Sequence, residues 1–379
     1  MSGFSLLPRH SAFGLDIGQE TIKFAFVRKG AGDVATLEAY GKAALPAESI
    51  QHGAISNSNA VAEAIRSLYH SHGLHAGAPP FAVCSLPERE SFVRIIQMPL
   101  MPEAQIGDAL QWEIEGHIPV SKDEVYYDWS LVDTVYADET KITGDTGTDH
   151  LDILVAATLR TIADSYAEAV RQAGIMPVAF EIESQAVVRA VVREKTKDGA
   201  VLILDLGGTK TTFIIYAAGA LRFTTIIPVP NEFIVKAITG KVHVTPDEAY
   251  KLIQEVGLDP KQLEGKILDA AMPILSDMLE QIRKYMDYYE TNVMPHVAAG
   301  KKIDKIYLTG GGANLKGLPT YLSANLHIPV EVVNPWANIG TGSGAGKKKS
   351  PKPALRFKDA LGYTTAFGLA IRGAQQSWT

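Results

Sequence analysis

Apolar runs separated by short polar or glycine-containing breaks recur along the chain, and they predict an alternation of strands and helices. "AFGLDIG" and "IKFAFVRK" read as two strands joined by a tight turn. "SNAVAEAIRSLYHSHG" reads as a helix with a Ser or Asn cap and a glycine stop. "FAVCSLP" and "ESFVRIIQMPL" read as further strands, and "PEAQIGDALQWEIEGHI" as a helix opening on its proline. The buried strand "LDILVAATL" is followed by the helix "TIADSYAEAVRQAG", which ends at Gly174. Alternation of this kind predicts an α/β architecture.

At Ala200 the pattern begins again. "VLILDLGGTKTTFIIYAAG" repeats the strand, aspartate, glycine turn and strand of the opening stretch, so that Asp205 answers Asp16. Two such units far apart imply two similar domains and not a solenoid. "PILSDMLEQIRKYMDYYE" places Ile274, Leu275, Met278, Leu279, Ile282, Tyr285, Met286 and Tyr289 on one face of a core helix. "KIYLTGGGANLKGL" runs from a strand into three glycines, "ANIGTGSGAGKKKSPKP" reads as a flexible loop, and "FKDALGYTTAFGLAIRG" as a packed helix rich in small residues.

Composition narrows the function classes. A chain of 379 residues is too long for one ordinary core, and 46% hydrophobic with 21% charged residues is globular. The net charge of −6 offers nucleic acid no footprint, and the one cationic cluster, "GKKKSPK", gives a membrane surface little more. The single cysteine, Cys84, excludes an intrachain disulfide and a Cys-rich zinc site; it reads as a small buried hydrophobe, with a nucleophile as the alternative. The opening "MSGFSLLPRH" lacks the charged and apolar regions of a signal peptide, and no long uncharged apolar run is present. A soluble, cytoplasmic protein without direct membrane insertion is the expectation. There is no HExxH, no G-x-x-x-x-G-K-[ST] and no Gly-x-Ser-x-Gly, and His70, His72 and His75 read as a solvated helix end.

The chemistry lies in the glycine turns. Glycine after a strand-end aspartate opens conformations closed to other residues and lets a ligand approach the backbone. Successive N–H groups in such a turn form an anion-binding concavity, and the aspartate can hold the water shell of Mg²⁺. One copy alone also reads as an ordinary hairpin. Two matching copies, with a third glycine run after another strand, read as a nucleotide clamp.

"LDIGQETIK", "LDLGGTKTT" and "LTGGGANLKGL" resemble the phosphate-1, phosphate-2 and adenosine motifs of the actin, sugar-kinase and chaperone ATPase superfamily. The resemblance implies a duplicated, ribonuclease H-like two-lobe fold that binds ATP with Mg²⁺. It puts Asp16 and Asp205 around the metal, Gly18, Gln19 and Lys23 on the phosphates, and Gly207, Gly208, Thr209 and Thr211 in the second turn. Gly310, Gly311, Gly312 and Ala313 would lie against adenine and ribose. In "EAYK", Glu248 and Lys251 resemble the Glu–x–x–Lys pair that bacterial actin relatives direct at the ribose, although an i,i+3 surface ion pair reads as well. "FEIESQAVVRAV" resembles the connecting helix, with Glu183 in the position near the attacking water. The sequence departs from the superfamily at Pro228 and Asn231, where a glycine pair is usual.

"RIIQMPLMPEAQIGDALQWEIEGHIPVSKDEVYYDWSLVD" is similar to the inserted subdomain of the PilM family, the actin-like assembly proteins of type IV pili, and the likeness extends over nearly the whole chain. It implies a first-lobe core over 1–87, an inserted α+β subdomain over 88–175, and a return with the connecting helix over 176–199. The second lobe would have its core at 200–230 and 292–336 around a subdomain at 231–291, followed by a loop at 337–354 and a helix returning to the first lobe at 355–379.

The family binds ATP, with at most slow hydrolysis, and captures the cytoplasmic N-terminal tail of the inner-membrane protein PilN. That makes an adaptor, peripheral to the inner membrane through its partner, with the assembly ATPases of the machine and further copies of itself as other implied contacts. The tail groove is expected along Phe92 to Met98 and the helix bearing Trp112. "SLLPR", Ser5 to Arg9, itself resembles the Leu–Leu–Pro segment of the tail. Two other readings stay open: a cell-division relative of the FtsA kind, whose C-terminal membrane helix "GAQQSWT" does not resemble, and a small-molecule kinase on the same fold.

Overall fold

The computed structural model describes residues 12–29, 35–71, 80–132, 150–193, 199–296, 302–340, 355–376 and 378. The "SLLPR" segment, His72, His75 and most of the glycine- and lysine-rich loop lie outside the described residues. In chain order, strands β1 (Phe13–Ile17), β2 (Thr21–Lys29) and β3 (Ala35–Ala44) lead through the short β4 (Ile50–Gln51) and β5 (Ala54–Ile55) to helix α1 (Ser58–Ser71) and strand β6 (Phe81–Leu86). Then come β7 (Ser91–Pro99), α2 (Glu103–His117), β8 (Val125–Val132) and β9 (His150–Leu159), followed by α3 (Arg160–Gln172), β10 (Met176–Ile182) and α4 (Glu183–Val191). The repeat comprises β11 (Ala200–Leu206), β12 (Thr211–Ala217), β13 (Ala220–Ile227), α5 (Asn231–Val242), α6 (Pro246–Glu255), α7 (Lys266–Tyr288), β14 (Ile303–Thr309), α8 (Leu318–Leu326) and β15 (Val330–Val332). Strand β16 (Ile339–Gly340) and helices α9 (Phe357–Ala360) and α10 (Thr364–Gln375) close the chain.

These elements form two units. The first gathers Met1–Glu90, Leu159–Val192 and Asn334–Thr379, and the second Ser91–Thr158 and Arg193–Val333. In the first, the strands run in the order β10-β6-β1-β2-β3-β16. Side chains alternate across a strand, so Phe13, Leu15 and Ile17 of β1 meet Ala82, Cys84 and Leu86 of β6 and the apolar faces of α1 and α3. Gly14, Asp16, Val83 and Ser85 belong to the opposite face. There α10 lies so close that a Cβ on Gly14 would stand 2.3 Å from the Ala366 carbonyl oxygen. Gly368 of the same helix presses equally closely on Ala186 of α4. Small residues in α10 are what allow this packing.

In the second unit the order is β13-β12-β11-β14-β15. The duplication shows in the register: β1 pairs antiparallel with β2 and parallel with β6, as β11 does with β12 and β14. A separate sheet, β7-β9-β8, carries α2. Ile96, Met98, Leu151, Ile153 and Val155 are buried on one face of the sheet, Val93 is buried on the other, and Ile106, Leu110 and Ile114 of α2 are buried as well.

Local signals decide the helix ends. Asn57 caps α1, its Oδ1 accepting the Ala60 N–H at 3.1 Å. Pro102 stands just before α2 instead of inside it. Helix α7 begins at Lys266, not at Pro273, which lies within it. Ile267, Ala271 and Leu275 are buried, and their packing outweighs the hydrogen bond that the proline removes.

Candidate functional site

The first turn grows from the β1–β2 hairpin. Asp16 stands opposite Lys23, so the two side chains share one face, and Lys23 Nζ lies 3.7 Å from Asp16 Oδ2. Ser85, on the parallel neighbour β6, donates to Asp16 Oδ1 at 3.3 Å and accepts the Ile17 N–H at 2.9 Å. Asp16 is 6% exposed. The turn closes through the Gly18 N–H and the Thr21 carbonyl at 3.0 Å, and a Cβ on Gly18 would sit 3.1 Å from that same oxygen. Neither Gly18 nor Gly207 adopts a left-handed φ. The expectation that these glycines supply unusual conformations is therefore corrected: they supply room across the turn. Gln19 is exposed at its tip.

Glu183, the first residue of α4, is buried beside Glu88. Its carboxylate accepts the Glu88 backbone N–H at 3.3 Å, and the Glu88 carboxylate accepts the Ser184 N–H at 3.0 Å. The Tyr166 hydroxyl lies nearby. Burial first, then the charges of Glu183, Asp16 and Glu90, push its pKa up. Four acids, Asp16, Glu88, Glu90 and Glu183, thus share one region of this unit. Cys84 is fully buried, and burial raises its thiol pKa, which excludes it as a nucleophile in the folded chain.

The second turn has the same frame. Asp205 pairs with Thr212 on β12 and Thr309 on β14. A Cβ on Gly207 would lie 2.8 Å from the Lys210 carbonyl. The carbonyls of Gly207 and Gly208 accept the N–H groups of Asn231 and Glu232, each at 3.1 Å, which fastens the turn to the start of α5. Gly208 is exposed and Thr209 half-buried. Thr211 is fully buried and its hydroxyl donates to the Val229 carbonyl at 2.7 Å, a bond that ties the start of β12 to the chain after β13. The third glycine run folds onto this turn. Gly310 has φ 78°, and a Cβ there would lie 2.4 Å from Asp205 Oδ1. One on Gly312 would lie 2.8 Å from Leu206 Cβ and 3.1 Å from Asn231 Oδ1. Gly311 is exposed, with nothing near the place of a Cβ, and Ala313 is buried.

The structure therefore brings Asp205, Gly207, Gly310, Gly312 and Asn231 together. Gly207, Gly310 and Gly312 let the second turn and the glycine bend pack closely, Gly311 faces open space, and the corner carries a carboxylate and a buried amide oxygen with no partner among the described residues; such a set of groups fits a polyphosphate nucleotide with a hydrated cation. Glu248 and Lys251 are exposed on α6. The Glu248 carboxylate accepts from the Thr245 N–H and hydroxyl in a capping box, and those two bonds hold its pKa below the usual glutamate value.

Ser85 and Glu88 were not among the residues singled out from the sequence, and Asn231 stood out only as a departure from the usual glycine pair. Ser85 could have been found by extending the repeat one strand further, since "CSLP" stands to Asp16 as "LTGG" stands to Asp205.

In the separate sheet, the residues expected to line a groove divide. Val93, Ile96 and Met98 are core, while Trp112 is 76% exposed beneath Lys122 Nζ, 5.0 Å from its ring centroid, and Tyr126 and Tyr127 are exposed on β8. The sheet is tied to β13 by a buried ion pair: Arg222 Nη1 lies 2.7 Å from Asp152 Oδ2. Arg222 also donates to the Ala217 and Ala218 carbonyls at 3.0 and 3.1 Å. Gln97 donates to the other Asp152 oxygen at 3.2 Å.

Duplicated sheets, each with an acid and a glycine turn at the same place, define the actin-like ATPase fold. Within that class the chain belongs to the family of the type IV pilus assembly protein PilM, whose pattern matches residues 14–374. The chain is similar to a solved PilM–PilN type IV pilus biogenesis complex, with a TM-score of 0.74 and 24% identity over 97% of this chain and 99% of that one. It is also similar to MreB 5 of Spiroplasma citri bound to AMPPNP, with a TM-score of 0.51 and 11% identity over 86% and 92% of the chains. The cell division protein FtsA of Neisseria meningitidis is 22% identical over 66% of this chain and 62% of its own length. The match thus takes in less than two thirds of that relative, a distant likeness beside the family match.

Proposed function

We propose that this chain is an ATP-binding adaptor of type IV pilus assembly that captures the cytoplasmic N-terminal tail of the inner-membrane protein PilN and makes that capture depend on nucleotide. Membership of the PilM family over residues 14–374 carries the reading, and the cradle of Asp205, Gly310 and Gly312 supports its nucleotide part.

Asp16 and Asp205, each in its own unit, are assigned to the water shell of a Mg²⁺ that would neutralise phosphate charge, and Lys23, standing opposite Asp16, would add a positive charge at the first turn. Gly18 and Gln19 at one turn, and Gly207, Gly208 and Thr209 at the other, present backbone to phosphate. Gly310 to Ala313 are assigned to the nucleoside, with Gly311 exposed and open space where its Cβ would stand. Glu248 and Lys251 are assigned to the ribose, with Glu248 already rigid in its cap. Glu183, oriented by Glu88, aligns a water for slow hydrolysis.

For the partner, an extended apolar tail loses chain entropy on ordering, so exposed rings such as Trp112, Tyr126 and Tyr127 are the side chains able to repay it. Such an adaptor works at the cytoplasmic face of the inner membrane through its partner. Titration of a fluorescent peptide of the PilN tail, with and without Mg·ATP, tests the proposal. Binding whose affinity shifts severalfold with nucleotide is expected; no binding in either condition rules it out.

A further inference from the structure

Asn231 opens α5 and is 7% exposed. Its main chain is committed to the second turn through the Gly207 carbonyl. Its side chain lies at the glycine bend on the other side of the same corner, with Oδ1 3.1 Å from the place a Gly312 Cβ would take. That oxygen is buried and has no hydrogen-bond partner among the described residues. Buried amide oxygens are nearly always paired, because leaving one unpaired costs the desolvation of the group with no return. An exception at a corner shared by two ligand-shaped backbone turns calls for a donor from outside the chain.

We propose that Asn231 reads the bound nucleotide: its carboxamide oxygen accepts a hydrogen bond from an O–H donor brought by Mg·ATP. The proposal rests on the reading of the Asp205 turn as a nucleotide cradle. Phosphate oxygens cannot satisfy Oδ1, because at neutral pH they act as acceptors as it does. The O–H donors that arrive near the phosphates are the ribose hydroxyls and the waters held by the metal. Oδ1 is covered in the fold described, so a rotation of the side chain must bring it to the donor. That rotation exchanges an unpaired oxygen for a paired one, and it does so only when ligand is present. Asn231 therefore burdens the empty protein and favours the filled one, and a residue that merely packed would not act with opposite signs on the two forms.

The test is calorimetric titration of the wild type and Asn231→Ala with Mg·ATP, with Mg·2′-deoxy-ATP, with Mg·3′-deoxy-ATP, and with ATP in EDTA. The substitution should weaken Mg·ATP binding about tenfold, and the effect should vanish for whichever ligand lacks the donor. A deoxy analogue identifies a ribose hydroxyl; the EDTA arm identifies a metal-bound water. The ratio of the two proteins' affinities decides the matter for each ligand, and melting of the ligand-free variant at or above the wild-type temperature is the accompanying expectation. An effect below about twofold with Mg·ATP, or an equal effect with all four ligands, overturns the assignment. If the wild type itself binds no ATP, the cradle reading falls and takes this one with it. If it binds and the variant matches it, only the role of Asn231 is lost.

Discussion

Asp16 and Asp205 hold equivalent places in two copies of one frame, yet their surroundings differ. Asp16 is buried between Lys23 and Ser85, whereas Asp205 is half-exposed against the glycine bend. Asp16→Ala and Asp205→Ala should each weaken Mg·ATP binding tenfold or more by calorimetry. Melting should stay within about 5 °C of wild type, because each acid sits near a strand end and leaves the core intact; normal ATP affinity in both variants would contradict their role. Glu183→Gln keeps an oxygen that can accept the Glu88 N–H, so ATP affinity should hold while any steady-state hydrolysis slows by about a hundredfold. Gly310→Ala forces a left-handed φ on alanine and drives its methyl into Asp205; a loss of about 2 kcal/mol or more in denaturant unfolding is expected, together with lost nucleotide binding. The acids were legible in the sequence because a charge inside an apolar run is conspicuous. Ser85 and Asn231 were not, since a serine in a strand and an asparagine at a helix start are ordinary until their partners are known. The turn glycines were recognised for an imprecise reason, because a lack of space across a turn leaves no mark in sequence different from a need for positive φ.

Among the elements, the strand pairs followed from alternation, and the duplicated register followed from the repeated "LD-G" unit. Helix ends were less legible. Nothing local marks the first turn of α7 ahead of Pro273, since its buried residues are fixed by what the helix packs against. The tie between β9 and β13 was equally invisible, because Asp152 and Arg222 meet only through the tertiary fold. Arg222 is almost wholly buried, so Asp152→Ala would strand a charge and should cost about 3 kcal/mol in denaturant unfolding, with Asp152→Asn costing less. The α6 cap gives a test of pH. Because Thr245 holds the Glu248 pKa below its unfolded value, the stability it contributes is complete above the ordinary glutamate range and disappears as the pH falls through the lowered value. Thr245→Ala should therefore destabilise the chain near neutrality, and the gap from wild type should narrow in acid, leaving the part due to the Glu248 N–H that Thr245 Oγ1 accepts, when the two melting curves are compared.

At the scale of the whole molecule, the family was legible because its inserted segment and three glycine turns are spread over nearly all of the sequence. The membership of the units was not. Residues 91–158 group with the second half of the repeat, although they interrupt the first. If nucleotide and tail are coupled as proposed, linkage requires reciprocity: the factor by which Mg·ATP changes tail affinity must equal the factor by which the tail changes ATP affinity. Titrations in both orders should return the same ratio, and a ratio of one in either order would remove the coupling. The first unit is also stitched from three stretches of chain, and its buried helix α10 comes far behind β1 and β2 in chain order. Phe367 and Leu369 of that helix are wholly buried, and Gly14 of the first strand lies against its backbone. On the ribosome, then, β1 and β2 emerge long before their lid exists and must keep one greasy surface uncovered until α10 follows. Nascent copies should depend on holding chaperones until α10 is made, and a stop codon placed before α10 should yield aggregates, not a smaller working domain.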